Sequence, residues 1–135
     1  MSYSFLTQLL QSSHLVLPTT EDYRVREQRS FERLQRLSVR TYLQEYDLLF
    51  RYVSLWLVEQ GYELTNKQPH QVLARVCEQF VPAGQVQEVI RCRHQLKYQG
   101  EEATSAGIAA LTCLVTLLKE ALVCSHTKKR ISAHL

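Results

Sequence analysis

Tyr42-Leu43-Gln44-Glu45-Tyr46-Asp47-Leu48-Leu49-Phe50-Arg51-Tyr52-Val53-Ser54-Leu55-Trp56-Leu57 is the stretch on which the fold turns. Tyr42, Tyr46, Leu49, Val53 and Trp56 fall on one helical stripe, and Leu43, Phe50 and Leu57 on a second. A helix this apolar has to be covered on more than one side. It is therefore expected at the centre of the core.

Working towards the N-terminus, no Gly or Pro occurs between Pro18 and Gly61. That predicts one very long helix, or two that are nearly continuous. Thr19 and Thr20 offer N-caps, Glu21 and Asp22 suit the first turn, and Gly61 suits the C-cap. Residues 21–40 hold six arginines and four acids. Arg26, Arg29, Arg33, Arg36 and Arg40 line one face. Asp22 and Glu32 stand four residues before Arg26 and Arg36, the favourable order for intrahelical ion pairs. Most simply this face is solvated; the functional option is a track for an RNA backbone or an acidic partner. Residues 4–15 predict a short helix with Phe5, Leu6, Leu9 and Leu10 on one side, stopped by Pro18.

Towards the C-terminus, a loop is expected from Gly61 to Gln68. Pro69 then opens a helix with Val72, Leu73, Val76, Cys77 and Phe80 inside. Pro82 and Gly84 end it. The next helix runs from about Gln85 to Tyr98, and Gly100 marks a turn. Thr104 or Ser105 caps a last helix whose inner face reads Ile108, Leu111, Val115, Leu118 and Leu122. No alternating strand pattern is present. The fold class is all-α, a bundle of about five helices.

The chain of 135 residues suits one domain. Its formal charge of +3 comes from 16 Lys and Arg against 13 Asp and Glu. Lys128, Lys129 and Arg130 of the tail account for the excess, so the body is neutral. That argues against a domain built to coat duplex DNA. Cys77, Cys92, Cys113 and Cys124 show no zinc spacing, and Cys77 and Cys113 fall among apolar residues of helices. The first twenty residues carry no charge and no basic signal region; they are expected to cover the apolar side of the bundle, with a subunit contact as the alternative. No apolar run is expected to approach the ~20 residues of a membrane span. The expectation is a reduced, cytoplasmic protein that needs no metal, cofactor or membrane.

Phosphate-cradling glycine loops and the common hydrolase and zinc motifs are absent. One segment stands out: Arg91-Cys92-Arg93-His94-Gln95-Leu96-Lys97-Tyr98-Gln99-Gly100. Arg93 and Lys97 share a face, as do His94 and Tyr98, and Arg91 lies near His94. Such a cluster can hold a phosphodiester, with Arg as clamp, Lys as point charge and His or Tyr as proton carrier. The plain alternative is a solvated helix end, where cations are favourable anyway. His70 at a helix start reads as a surface or capping residue. His14, His126 and His134 show no partners.

The order of these pieces resembles a HEPN domain, a family of small α-helical bundles of prokaryotic defence and toxin–antitoxin loci. The resemblance rests on Glu45-Tyr46-Asp47-Leu48-Leu49-Phe50, on Glu59-Gln60-Gly61-Tyr62-Glu63, on Pro69-His70-Gln71-Val72-Leu73 and on Ile90 to Gly100. It covers roughly residues 42–122, within a single domain 1–124. Residues 4–40 are then a helical extension, and 125–135 a flexible basic tail.

Many members of that family are metal-independent ribonucleases whose motif is Arg, a polar residue, then His after four to six residues, followed by Tyr. Two copies meet to form one cleft. Carried over, Arg93 takes the Arg place and His94 the polar place, while the His place falls at Tyr98, or at Gln99 or Gly100 with the longer spacing, none of them histidine. The general base is thus missing. His94 projects about 100° away from Arg93 on a helix. Other members serve as platform or substrate of a small nucleotidyltransferase, some accepting a nucleotide on a Tyr, here Tyr98.

The resemblance therefore implies a homodimer with Arg93, His94 and Tyr98 as catalytic candidates and Arg91 and Lys97 as RNA or nucleotide ligands. It implies either a variant endoribonuclease or the partner of a nucleotidyltransferase or antitoxin. A helical interaction module, without chemistry at this segment, is the other class.

Overall fold

A computed structural model describes residues 3–17 and 20–133, with side chains described as far as Val123. The expectations on Pro18, Thr19 and His134, and on the side chains of Cys124, His126 and the basic tail, lie outside the described residues. The elements in order are α1 (Ser4–Gln11), β1 (Leu15–Val16), α2 (Glu21–Gln35), α3 (Tyr42–Glu59), β2 (Glu63–Leu64), α4 (Pro69–Cys77), α5 (Ala83–Gln99) and α6 (Ser105–Ala133). The expected all-α bundle is what forms.

α3 is the central element. α2 and α6 pack along it, and α4, α5 and β2 also touch it. Tyr46, Leu49, Val53, Trp56 and Leu57 are buried, as the two stripes require. α1 lays Phe5, Leu6 and Leu9 into the same core. α4 adds Val72, Leu73, Val76 and Cys77. α6 adds Leu111, Leu114, Leu118 and Leu122. Its inner face is rotated slightly from the expected one: Ile108 is 51% exposed and Cys113 is exposed.

Three details refine or depart from the sequence expectation. Of the two readings of the long Gly- and Pro-free stretch, two helices form, separated at 36–41. There Thr41 caps α3 in a reciprocal box with Gln44, its Oγ1 accepting from the Gln44 N–H at 3.2 Å and its N–H donating to Gln44 Oε1 at 3.0 Å. Arg40 holds the corner by donating to the Leu34 and Leu37 carbonyls at 3.3 and 3.1 Å and to Glu45 at 2.7 Å. Second, α1 stops at Gln11, and Leu15–Val16 pair antiparallel with Glu63–Leu64 in a short ladder. Third, Ser105–Val123 of α6 is long and apolar enough to cross a membrane by length and composition, which the sequence reading did not anticipate. One side of that stretch is the core face just described, packed on α3 and α5. α6 also continues as helix to Ala133.

Polar joints fix the helices against one another. Glu27, 5% exposed on α2, accepts from Arg51 of α3 at 2.7 Å. The Asp22 and Glu32 pairs expected along α2 are replaced by other contacts: Arg26 lies over the Tyr23 ring, and Glu32 accepts from Gln28. Gly107 is buried where α6 crosses α5, and a Cβ there would stand 2.5 Å from Cys92 Sγ. Only a glycine permits that approach.

Candidate functional site

α3, α4 and α5 converge on one polar spot. α3 supplies Tyr46, Asp47 and Phe50, α4 supplies His70 from its first turn, and α5 supplies Arg93 and Lys97. Tyr46 is fully buried, with its hydroxyl 3.0 Å from His70 Nδ1. The Phe50 ring lies 5.4 Å from the imidazole, centre to centre. The Arg93 guanidinium sits 5.1 Å from the centre of the Tyr46 ring, a cation–π arrangement.

The electrostatics follow from this placement. Burial lowers the pKa of His70 from its ordinary 6.5; Arg93 and Lys97 lower it further and Asp47 opposes them. Burial also raises Tyr46 well above the ordinary phenol value, against the pull of Arg93. The spot thus joins two cations, a neutral imidazole and a phenol that keeps its proton near neutral pH.

His70 owes its position to the chain before it. Gln68 precedes α4 in the left-handed region, at φ 46°, and Pro69 starts the helix. The Gln68 amide oxygen lies 2.9 Å from His14 Nε2, and Ser12 Oγ lies 2.6 Å from His14 Nδ1. Lys67 donates to the Ser12 carbonyl at 2.7 Å, and Thr65 to the Ser13 carbonyl at 2.8 Å. His14, which showed no partner in the sequence, is therefore the pin of a clasp. The clasp fastens the end of α1 to the loop that leads into His70.

The residues singled out on α5 divide between two faces. Arg93 and Lys97 turn towards His70. His94 and Tyr98 pair with each other instead, their rings 4.9 Å apart, and Tyr98 is 63% exposed. Lys97 also lies 5.6 Å from the Tyr98 ring centre, so it borders both. Arg91 is taken up by Glu88, its Nε donating to Glu88 Oε2 at 3.0 Å. Glu88 also accepts from Thr104 Oγ1 at 2.6 Å, and these bonds hold its carboxyl down at about 2. Arg91 thus belongs to a brace between α5 and the start of α6.

His70 and Tyr46 are the residues that sequence reasoning passed over as site members. Their signal was present in the quoted segments, but helical spacing cannot tell that α4 and α5 meet at Tyr46. Among the described residues, no group of three or more His, Cys, Asp or Glu is placed to hold a metal ion. A separate groove of about 240 Å³ lies between α2, α3 and α6, floored by Phe31, Tyr52, Leu55 and Leu122. Comparison with protein-family models, curated proteins and solved structures finds no match to this chain.

Proposed function

We propose that this chain is a HEPN-like protein of a toxin–antitoxin or defence system, acting as a homodimer that binds RNA or a nucleotide at the cationic face of α5. The single observation that carries this is the convergence of Arg93, Lys97 and His70 at one spot. An arginine with a planar face on Tyr46 keeps its outer N–H groups for a phosphate, and Lys97 adds a mobile charge. Two copies would double that charge in one cleft. Metal-independent cleavage of RNA at this spot is the enzymatic form of the proposal.

Fluorescence anisotropy with a labelled single-stranded RNA tests it. Binding should weaken with salt, with a slope of about −0.7 for each phosphate neutralised. Arg93→Ala and Lys97→Ala should each lower both affinity and slope. Unchanged binding in the double variant, or a monomer by light scattering under binding conditions, would count against it.

A second reading is favoured by the outer face of α6, where Ile108 and Val123 are 51% and 57% exposed. There the chain serves as a non-catalytic helical module, such as the partner or substrate of a small nucleotidyltransferase. Loss of partner binding in Ile108→Glu, with RNA binding intact, would select it.

A further inference from the structure

We infer that the groove between α2, α3 and α6 is a binding site for a small carboxylic acid with an apolar tail, held by its carboxylate at Arg24 and Lys119. The groove shares no residue with the α5 cluster, so the inference goes beyond the RNA-binding reading and stands without it.

The groove encloses about 240 Å³. Pockets for drug-sized ligands run from about 300 to 1,000 Å³, so the occupant is smaller than these. The floor is apolar and fixed by packing. Tyr52 and Leu122 are buried, and the Phe31 ring meets the Tyr52 ring edge-on, 4.9 Å between centres. Phe31 comes from α2 and Tyr52 from α3, so the floor exists only where those two helices meet. A tail laid along it removes apolar surface from water.

The rim selects the head group. Arg24 of α2 and Lys119 of α6 line the groove and are exposed. Neither forms an ion pair with a described residue, whereas Arg40, Arg51 and Arg91 each hold a carboxylate of the chain. Glu59 also lines the groove, but it is ion-paired with neither cation. Two unmatched cations from different helices thus border one apolar floor. A carboxylate fits between them: the guanidinium offers it a two-pronged fork and the ammonium a point charge. Both cations stand at the solvent edge, so the head group need not be buried, and the heavy cost of a buried ion is avoided. A molecule bound in this way touches α2, α3 and α6 together and would clip α2 to the core.

Octanoate and octan-1-ol are the probes, the same tail with and without a charge, titrated calorimetrically into the full chain. Octanoate should bind once per chain and at least ~10-fold more tightly than the alcohol. Arg24→Gln combined with Lys119→Gln replaces two exposed side chains, so the fold should survive. It should weaken octanoate by at least ~10-fold and shift the alcohol by less than about twofold. Leu55→Trp fills the groove and should abolish both; if it does not fold, Val58→Phe on the same wall replaces it. Hydrogen exchange should show α2 amides gaining protection with octanoate in wild type and not in the charge variant. Binding of neither probe, equal binding of both, or octanoate binding untouched by the charge variant would overturn the inference. A dimer that Leu55→Trp converts to monomers, with no octanoate bound by wild type, would assign the groove to a second copy and overturn it equally.

Discussion

The Tyr46 hydroxyl and His70 Nδ1 stand 3.0 Å apart and join the middle of α3 to the first turn of α4. Tyr46 is fully buried, so its oxygen has no access to water as a substitute partner. Tyr46→Phe keeps the ring and the Arg93 contact but strips the bond. It should cost about 1 kcal/mol, read as a lower urea midpoint at constant slope. A larger loss with a changed slope would mean that the ring itself had moved.

Stability should depend on pH through His70. Its pKa in the folded protein lies below the ordinary 6.5. The unfolded chain therefore binds the proton more readily than the folded one. The contribution is fully present above about pH 6.5 and is lost as pH falls from there through the folded value. Urea midpoints between pH 8 and pH 5 should fall, and His70→Gln should flatten that part of the curve. A parallel curve in the variant would assign the fall to another group.

Glu27 is nearly covered while Arg51 keeps 30% of its side chain exposed, so the pair is only half shielded from solvent. Removing one partner of a fully buried pair costs about 3–5 kcal/mol, and exposed pairs are worth under about 1. Glu27→Ala should fall between, at about 1–3 kcal/mol, and should loosen α2 first. Hydrogen exchange would show α2 amides losing protection ahead of α3.

At the crossing of α5 and α6, Gly107→Ala sets a methyl group against Cys92 Sγ, where the built distance is 2.5 Å. The better helix propensity of Ala favours the substitution by about 1 kcal/mol, but overpacking costs about 1–3. A net loss of stability is expected. Cys92→Ala in the same chain should recover much of it, because it removes the obstructing sulfur. A double-mutant cycle without coupling would contradict that geometry.

Much of the fold was legible because its signals are local. The stripes of 42–57 name the buried face of α3, and the apolar positions of α4 name its inner side. The break between α2 and α3 was one of two alternatives that the sequence left open, for a definite reason. No Gly or Pro marks it, yet Thr41 and Gln44 carry a capping box, and Arg40 supplies the hydrogen bonds that the corner lacks. The site was half legible. Arg93 and Lys97 could be found as a basic cluster. His94 and Tyr98 were grouped with them by closeness in sequence, whereas the helix sends those two to a neighbouring face. His70 and His14 could not be assigned, because their partners lie 24 and 54 residues away in the chain. Only tertiary packing supplies such contacts.

The clasp around His14 sets an order of events during synthesis. Gln8 and His14 are translated well before their partners Arg75 and Gln68, which follow 67 and 54 residues later. At about 5–20 residues per second, the wait is roughly 3–13 s. Through that interval Phe5, Leu6 and Leu9 have no finished core to enter. Until Gln68 and Arg75 emerge, α1 has neither its clasp nor a core to dock against.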